Sequence, residues 1–85
     1  MTEPTIDERK SVRKMAALME GRMRANDHKN GPTDLAWLLA KLNEEIAELS
    51  KEAIAAGDDT FREAADVANV AMIIACWCEG ESWYD

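Results

Sequence analysis

The chain has few of the residues that define disulfide-rich, nucleic-acid-binding or membrane-spanning proteins. Its 85 residues include two cysteines, too few for a disulfide framework, and one histidine. Lysine and arginine number 10 against 17 acids, and the net charge of −7 argues against a domain that wraps a nucleic-acid polymer. The first ten residues are polar and no run of 18 apolar residues occurs, so we expect a cytoplasmic protein without a membrane span.

The composition, 47% hydrophobic and 32% charged, is typical of a globular chain and predicts one small domain over residues 1–85. The two cysteines, Cys76 and Cys78, lie two positions apart, which separates them by about 200° around a helix. They therefore cannot ligate one metal ion together, and we expect both to be reduced side chains of the core.

Three helices, and no convincing strand, are predicted from apolar periodicity and turn formers. The first helix spans about residues 7–25, and the turn formers of Asn26–Pro32 end it. The second spans about 34–56 and the third about 60–79, followed by a short segment, residues 80–85. Residues typical of helix ends favour these limits: Thr5 or Asp7, Thr33 or Asp34, Gly57, and Asp58, Asp59 and Thr60.

The third helix has more apolar surface than two other helices can easily cover. Thirteen of the fifteen residues from Ala64 to Cys78 are apolar. The second helix has a narrower apolar stripe, an arc of about 100° that contains Leu35, Leu38, Leu39, Leu42, Ile46, Leu49 and Ala53. We therefore expect an all-α fold: a small helical bundle of three main helices and a short C-terminal segment, completed by assembly into a homodimer or homotetramer.

Basic and acidic side chains are unevenly distributed along the chain. Residues 1–30 contain seven basic side chains against five acids, whereas residues 31–85 contain three against twelve. One interpretation is two solvated faces that attract each other in the fold. The other is that basic groups at one end face phosphates that the acids at the other end hold through a cation.

The main chemical pattern is a set of carboxylates on the second and third helices. Glu45 and Glu48 are three residues apart and share one face of helix two. Glu63 and Asp66 have the same spacing on helix three, which a short connection makes an antiparallel neighbour of helix two. Unpaired carboxylates raise one another's pKa, and a divalent cation relieves their repulsion. Oxygen ligands without His or Cys favour Mg²⁺, with Mn²⁺ as the other candidate.

These acids also have ordinary structural interpretations. The acids of helix two could form a solvated face with the lysines on that helix, Lys41 and Lys51. Glu63 lies near the start of helix three, where the helix dipole favours an acid. Asp66 lies too far into the helix for that effect, and could instead pair with Arg62 or with a basic residue of helix one.

The order of the acids resembles the signature of the MazG-like all-α nucleoside triphosphate pyrophosphohydrolases. In that signature Glu-x-x-Glu is followed, after a spacer of a dozen or more residues, by Glu-x-x-Asp. Here residues 42–49 read LNEEIAEL, residues 63–69 read EAADVAN, and residues 49–62 form the spacer. The segment 26–29, ahead of Trp37, is also similar to the upstream region of small members. The likeness covers roughly residues 15–76.

The resemblance implies a fold, a reaction and a set of site residues. It implies Mg²⁺ ligands at Glu45, Glu48, Glu63 and Asp66. The implied reaction is hydrolysis of (deoxy)nucleoside triphosphates to monophosphate and pyrophosphate, in the trimming of unwanted or surplus nucleotides, by a dimer or tetramer. Either Glu44 or Glu48 would position or deprotonate the attacking water, so Glu44, Glu45 and Glu48 are the catalytic candidates.

Four further residues are candidates for contact with the substrate. Lys29 and Arg24 could bind the triphosphate, although lysines in loops usually contact only water. Trp37 projects from the carboxylate side of helix two, away from the apolar stripe of that helix. It could stack on a base or fill a subunit interface. Asn69 could bind the sugar or a water at the metal, or make a structural amide bond across the bundle.

A different class of function is the alternative: a non-catalytic acidic helical module that dimerises through helix three and binds a protein partner. Asp66 and Asn69 discriminate between the two hypotheses. A pure interaction helix would gain from apolar residues at both positions, whereas an enzyme needs the polar groups.

Overall fold

All three predicted helices are present in the computed structural model, which describes residues 8–26 and 34–83. They are α1 (Lys10–Asn26), α2 (Leu35–Ile54) and α3 (Thr60–Glu79), and the described residues contain no strand. The prediction of an all-α bundle is confirmed. None of these helices combines the length and the apolar character that a membrane span requires.

The third helix, α3, is the centre of the bundle. It packs along both α1 and α2, whereas no Cα of α1 lies within 8 Å of a Cα of α2. The most deeply buried apolar side chains are Leu38 of α2 and Ala65 and Val70 of α3. The apolar core of the described residues therefore lies mainly between α2 and α3.

Polar contacts attach α1 to α3. No residue of α1 is fully buried. The Lys14 ammonium lies 3.9 Å from the centre of the Phe61 ring, a cation–π contact between the two helices. Further along α1, the Met19 carbonyl accepts a hydrogen bond from Asn69 Nδ2 at 3.0 Å. These directional contacts fix the register of α1 on α3.

The predicted start of α2 agrees with the structure, whereas the predicted start of α1 does not. Asp34 is the N-cap of α2, as predicted, and its Oδ1 accepts a hydrogen bond from the Trp37 amide at 2.8 Å. The first helix begins at Lys10, later than predicted, and the Arg9 carbonyl accepts the first helical hydrogen bond. The other proposed caps of these two helices, Thr5, Asp7 and Thr33, lie outside the described residues.

The second helix ends at Ile54, two residues before the predicted end, because Ala56 leaves the helical conformation. Ala56 has a left-handed backbone with φ of 53°. Its amide returns to the Ala53 carbonyl, and the Gly57 amide returns to the Glu52 carbonyl, so the last carbonyls of the helix are satisfied. An alanine in this conformation is strained, because its Cβ crowds the backbone carbonyl.

The link between α2 and α3 depends on a close approach at Gly57. A Cβ on Gly57 would overlap the carboxylate of Glu52. That carboxylate accepts a hydrogen bond from the Asp59 amide at 3.2 Å and so closes the link. Asp59 occupies the N-cap position of α3, but its side chain makes no cap hydrogen bond and instead accepts one from Arg62.

The third helix ends at Glu79, as predicted. Gly80 takes the left-handed conformation with φ of 72°, and the Glu81 amide returns to the Cys76 carbonyl at 2.8 Å. Cys76 is half-buried, but Cys78 is exposed, so the prediction of two core cysteines is wrong for Cys78. Positions two apart face nearly opposite sides of a helix, and the core covers only one of those sides.

Only one edge of the predicted apolar stripe of α2 is covered. Leu38 is 1% exposed against α3. Along the other edge, Leu35, Leu39 and Ile46 remain exposed by 38%, 46% and 43%. The described bundle therefore has an open apolar strip, which we call the α2 strip and define as Leu35, Leu39 and Ile46.

Candidate metal centre

Three glutamates converge between α2 and α3. Glu45 and Glu48 lie one turn apart on α2, and Glu63 lies in the first turn of α3. One carboxylate oxygen from each lies within 4.8 Å of the other two. The five-residue link 55–59 folds α3 back along α2 and so brings the groups together. We call Glu45, Glu48 and Glu63 the three-glutamate group.

Two oxygens of the three-glutamate group are buried without a donor. Glu45 is only 8% exposed; its Oε1 lies 3.2 Å from Lys41 Nζ, but its Oε2 accepts no hydrogen bond from any described residue. Glu63 Oε2 is likewise buried and without a donor in the described part of the chain. Burial of an ionised oxygen without a donor is costly, so both atoms mark positions where a cation would be stabilising.

Burial and like charge raise the pKa of the buried Glu45 and of the half-buried Glu63. For Glu45 burial is the largest cause, and the charges of Glu48 and Asp66 add to it. The hydrogen bond and charge of Lys41 oppose this rise without cancelling it. For Glu63 burial is again the largest cause, followed by the same two carboxylates. The positive charge that the described residues place beside the three-glutamate group therefore does not balance the negative charge of its carboxylates.

Asp66, the fourth predicted ligand, is not part of the three-glutamate group. Both of its oxygens accept hydrogen bonds from Arg22 of α1, with Nε–Oδ1 at 2.8 Å and Nη2–Oδ2 at 3.0 Å. The sequence left two partners open for Asp66, Arg62 or a basic residue of helix one, and the structure shows the basic residue of helix one. The other candidate, Arg62, lies close to Asp59 and Glu63 instead, at 3.1 and 3.8 Å.

Asn69 makes an amide hydrogen bond across the bundle. Its Nδ2 donates to the Met19 carbonyl of α1, while its Oδ1 is buried without a donor in the described residues. The hydrogen bond to Met19 therefore supports the structural interpretation of Asn69, an amide bond across the bundle. Its contact with substrate stays a prediction.

The other predicted site residues that the structure describes, Glu44, Trp37 and Arg24, are exposed. Glu44 points to solvent, with its side chain 59% exposed and 3.6 Å from Lys41, and is outside the three-glutamate group. Trp37 is 52% exposed. Arg24 makes an exposed ion pair within α1. Lys29 lies outside the described residues.

Two cations lie beside the site, Arg22 and Lys41. One interpretation of the sequence paired Lys41 with the acids of helix two, but Arg22 was not singled out. Arg22 lies seven residues after Met15 and three after Met19, so it shares the helix face on which those methionines recur. That spacing could have shown that Arg22 faces α3. Lys41 lies four residues before Glu45, the spacing of a helical ion pair.

The donor set fits a hard divalent cation. The three-glutamate group offers carboxylate oxygens alone, which suit Mg²⁺ or Mn²⁺ better than Zn²⁺. Two buried oxygens that have no donor among residues 8–26 and 34–83 would be neutralised by a bound cation. The group could therefore hold a metal ion, and its ligands come from two helices.

No protein-family model, curated protein or solved structure matches this chain. The likeness to the MazG-like enzymes thus depends on the residue pattern of α2 and α3.

Proposed function

We propose that this chain is a MazG-like nucleoside triphosphate pyrophosphohydrolase that depends on Mg²⁺ or Mn²⁺. The observation that carries the proposal is the three-glutamate group, in which two buried carboxylate oxygens have no donor among the described residues. Hard cations on carboxylates keep several waters and bind substrate phosphates. The chemistry of the group and the order of the acids in the sequence thus favour the same class of reaction.

The proposed reaction is hydrolysis at the α phosphorus. The oxygen of a water molecule bonds to that phosphorus, the bond to the oxygen that bridges to the β phosphorus breaks, and monophosphate and pyrophosphate leave. A divalent cation, when bound, supplies positive charge against the phosphate oxygens. The attacking water loses a proton, and Glu48 is the most exposed carboxylate of the group, open to solvent and substrate. We therefore assign proton acceptance to Glu48 rather than to Glu44.

The buried glutamates have a different role from Glu48. Glu45 and Glu63 would hold the cation through their carboxylates, each of which has a buried oxygen without a donor in the described part of the chain. Lys41 contacts the other oxygen of Glu45 and so fixes the orientation of that carboxylate. This contact holds one ligand in place before a cation arrives, and a preorganised ligand binds with less ordering cost.

Substrate contacts come from the face of α2 that carries the exposed glutamates. Trp37 lies seven residues before Glu44 and eleven before Glu48, so all three share one side of the helix. The exposed indole is therefore assigned to stacking on the base. Lys29 is assigned to the phosphates. Asn69 is assigned to the sugar or a water at the metal, through its Oδ1, which meets no donor from the described residues.

Assembly into a homodimer or homotetramer belongs to the same proposal. The α2 strip lies within an arc of about 40° on one side of the helix, and Trp77 of α3 is also exposed. A chain of 85 residues with so few deeply buried apolar side chains has a thin core. A second copy on the α2 strip would complete it. We place the assembly in the cytoplasm, where thiols such as Cys78 stay reduced.

The alternative function, a non-catalytic protein-interaction module, also finds support in the α2 strip. Exposed leucines at helical spacing suit a partner helix. The three-glutamate group argues the other way, because an interaction module gains nothing from two buried oxygens that no described residue donates to.

Product analysis tests the proposal directly. The purified protein is incubated with a panel of NTPs and dNTPs, in Mg²⁺ and in EDTA. Monophosphate and pyrophosphate that form only with the metal are expected, and the panel ranks bases and sugars. Diphosphate and phosphate would retain a metal phosphohydrolase but contradict cleavage at the α phosphorus. No turnover of any nucleotide would favour the interaction module.

A further inference from the structure

The contact between Arg22 and Asp66 is an ion pair beside the three-glutamate group. Asp66 lies one turn after Glu63 on α3, so the two carboxylates are neighbours on the helix surface. Yet both oxygens of Asp66 accept hydrogen bonds from one guanidinium, at 2.8 and 3.0 Å. A carboxylate held at both oxygens by one guanidinium is already neutralised, and its orientation is set by that pair.

The two side chains of this pair differ in their access to solvent. The Asp66 side chain is 15% exposed and the Arg22 side chain 33% exposed. Asp66 is therefore the more buried member of the pair, and Arg22 reaches it from the more exposed side. Because the Arg22 side chain is itself partly exposed, its guanidinium can turn to solvent when it leaves the carboxylate.

We propose that Arg22 is a positioning residue of the metal centre: it neutralises Asp66 in the cation-free protein and is exchanged for the divalent cation when the three-glutamate group binds it. This inference rests on the proposed function, because it requires the group to bind a cation. It adds that Arg22 lowers the cation affinity of the centre, since the ion pair must break before Asp66 can turn to the metal.

Titration with Mn²⁺, followed through the electron-paramagnetic-resonance signal of the free ion, measures this affinity without any nucleotide. Arg22→Gln should bind Mn²⁺ about 5–10-fold more tightly than the wild type, as expected for loss of one charge-assisted pair. Arg24→Gln is the matched control, with the same charge change two residues along α1. It should change the affinity by less than about twofold.

Two further variants test whether the effect acts through Asp66. Arg22→Lys keeps the charge but cannot bind both oxygens, so it should fold and bind Mn²⁺ more tightly than the wild type by a smaller factor. Asp66→Asn should weaken Mn²⁺ binding, and adding Arg22→Gln to it should gain less than about twofold. In the wild type, Mg²⁺ should also shift the NMR signal of the Arg22 Nε–H.

The outcomes separate this inference from the proposed function. A wild type that binds no Mn²⁺ overturns both. A wild type that binds Mn²⁺, with Arg22 variants that bind no more tightly than Arg24→Gln, overturns the exchange alone. So does an equal gain from Arg22→Gln with and without Asp66, because the effect would then be one of net charge.

Discussion

The Lys41 ammonium lies 3.2 Å from Oε1 of Glu45, and the other oxygen of the same carboxylate meets no donor among the described residues. One side of this buried group is thus neutralised from within α2. The same carboxylate lies beside two more glutamates, Glu48 and Glu63. A buried carboxylate with like-charged neighbours destabilises the folded state unless a further positive charge is bound.

Glu48→Gln should lower turnover by at least about 100-fold, because it removes the proposed proton acceptor. Glu48 makes no ion pair with another described residue, so the helical circular dichroism and the mass of the assembly should not change. Steady-state pyrophosphate release measures the effect. Glu79→Gln, an equal charge change at the far end of α3, is the control and should retain activity.

Wild-type turnover by Glu48→Gln would refute the role of Glu48. Asp66→Asn is a less informative variant, because it also breaks the pair with Arg22 and so loses stability as well as a carboxylate. Glu44→Gln, by contrast, should retain most activity, since Glu44 is exposed and outside the three-glutamate group.

The cation-free protein should lose stability as the pH rises above 4.5, the ordinary pKa of a glutamate. The folded-state pKa values of Glu45 and Glu63 are raised, so in this window the folded state binds more protons than the unfolded chain. The loss is complete once the pH exceeds the raised values. In EDTA the melting temperature should therefore be higher at about pH 5 than at about pH 7.

Magnesium should reverse this loss. At a concentration of about 100 times Kd, a cation that binds only the folded state adds about 2.7 kcal/mol. The gain should be larger at neutral pH than in acid, where protons compete for the same oxygens. Thermal melts in Mg²⁺ and EDTA at both pH values measure it. A melting temperature that responds to neither pH nor Mg²⁺ would show that the buried glutamates bind no cation.

Ala56→Gly should stabilise the protein by about 0.5–1 kcal/mol, because glycine adopts a positive φ without the steric cost that alanine carries. Ala55→Gly is the adjacent control. Ala55 has φ of −78°, in the helical region, so glycine there should destabilise by a similar amount. Urea unfolding of both variants measures the difference. A loss of stability in Ala56→Gly would contradict the left-handed end of α2.

A charge in the α2 strip should dissociate the proposed assembly. Leu39→Glu or Ile46→Glu would place a carboxylate in the interface, and the sedimenting mass should fall to the 9.5 kDa of one chain. Ala47→Glu adds the same charge at an exposed position on another side of α2 and should leave the mass unchanged. A wild type that sediments as a monomer would refute assembly through this strip.

Much of the fold could be predicted because its determinants are local. The limits of α3 follow from an uninterrupted helical sequence that ends before Gly80. Asp34 caps α2 because a short acceptor at that position reaches an amide three residues on. The end of α2 was predicted less well, because a left-handed alanine such as Ala56 is intrinsically unfavourable and only the link to α3 requires it.

In the candidate site, too, the locally determined features could be predicted and the long-range contacts could not. The sequence by itself determined three helices and the spacing that puts Glu45 beside Glu48 and Glu63 beside Asp66, because helical periodicity and a short link suffice for that. Only the tertiary structure decided that Asp66 pairs with Arg22, 44 positions away, and that half of the leucine stripe stays open. Such contacts depend on how α1 and α2 pack around α3, and this packing is set by the whole bundle rather than by any one segment.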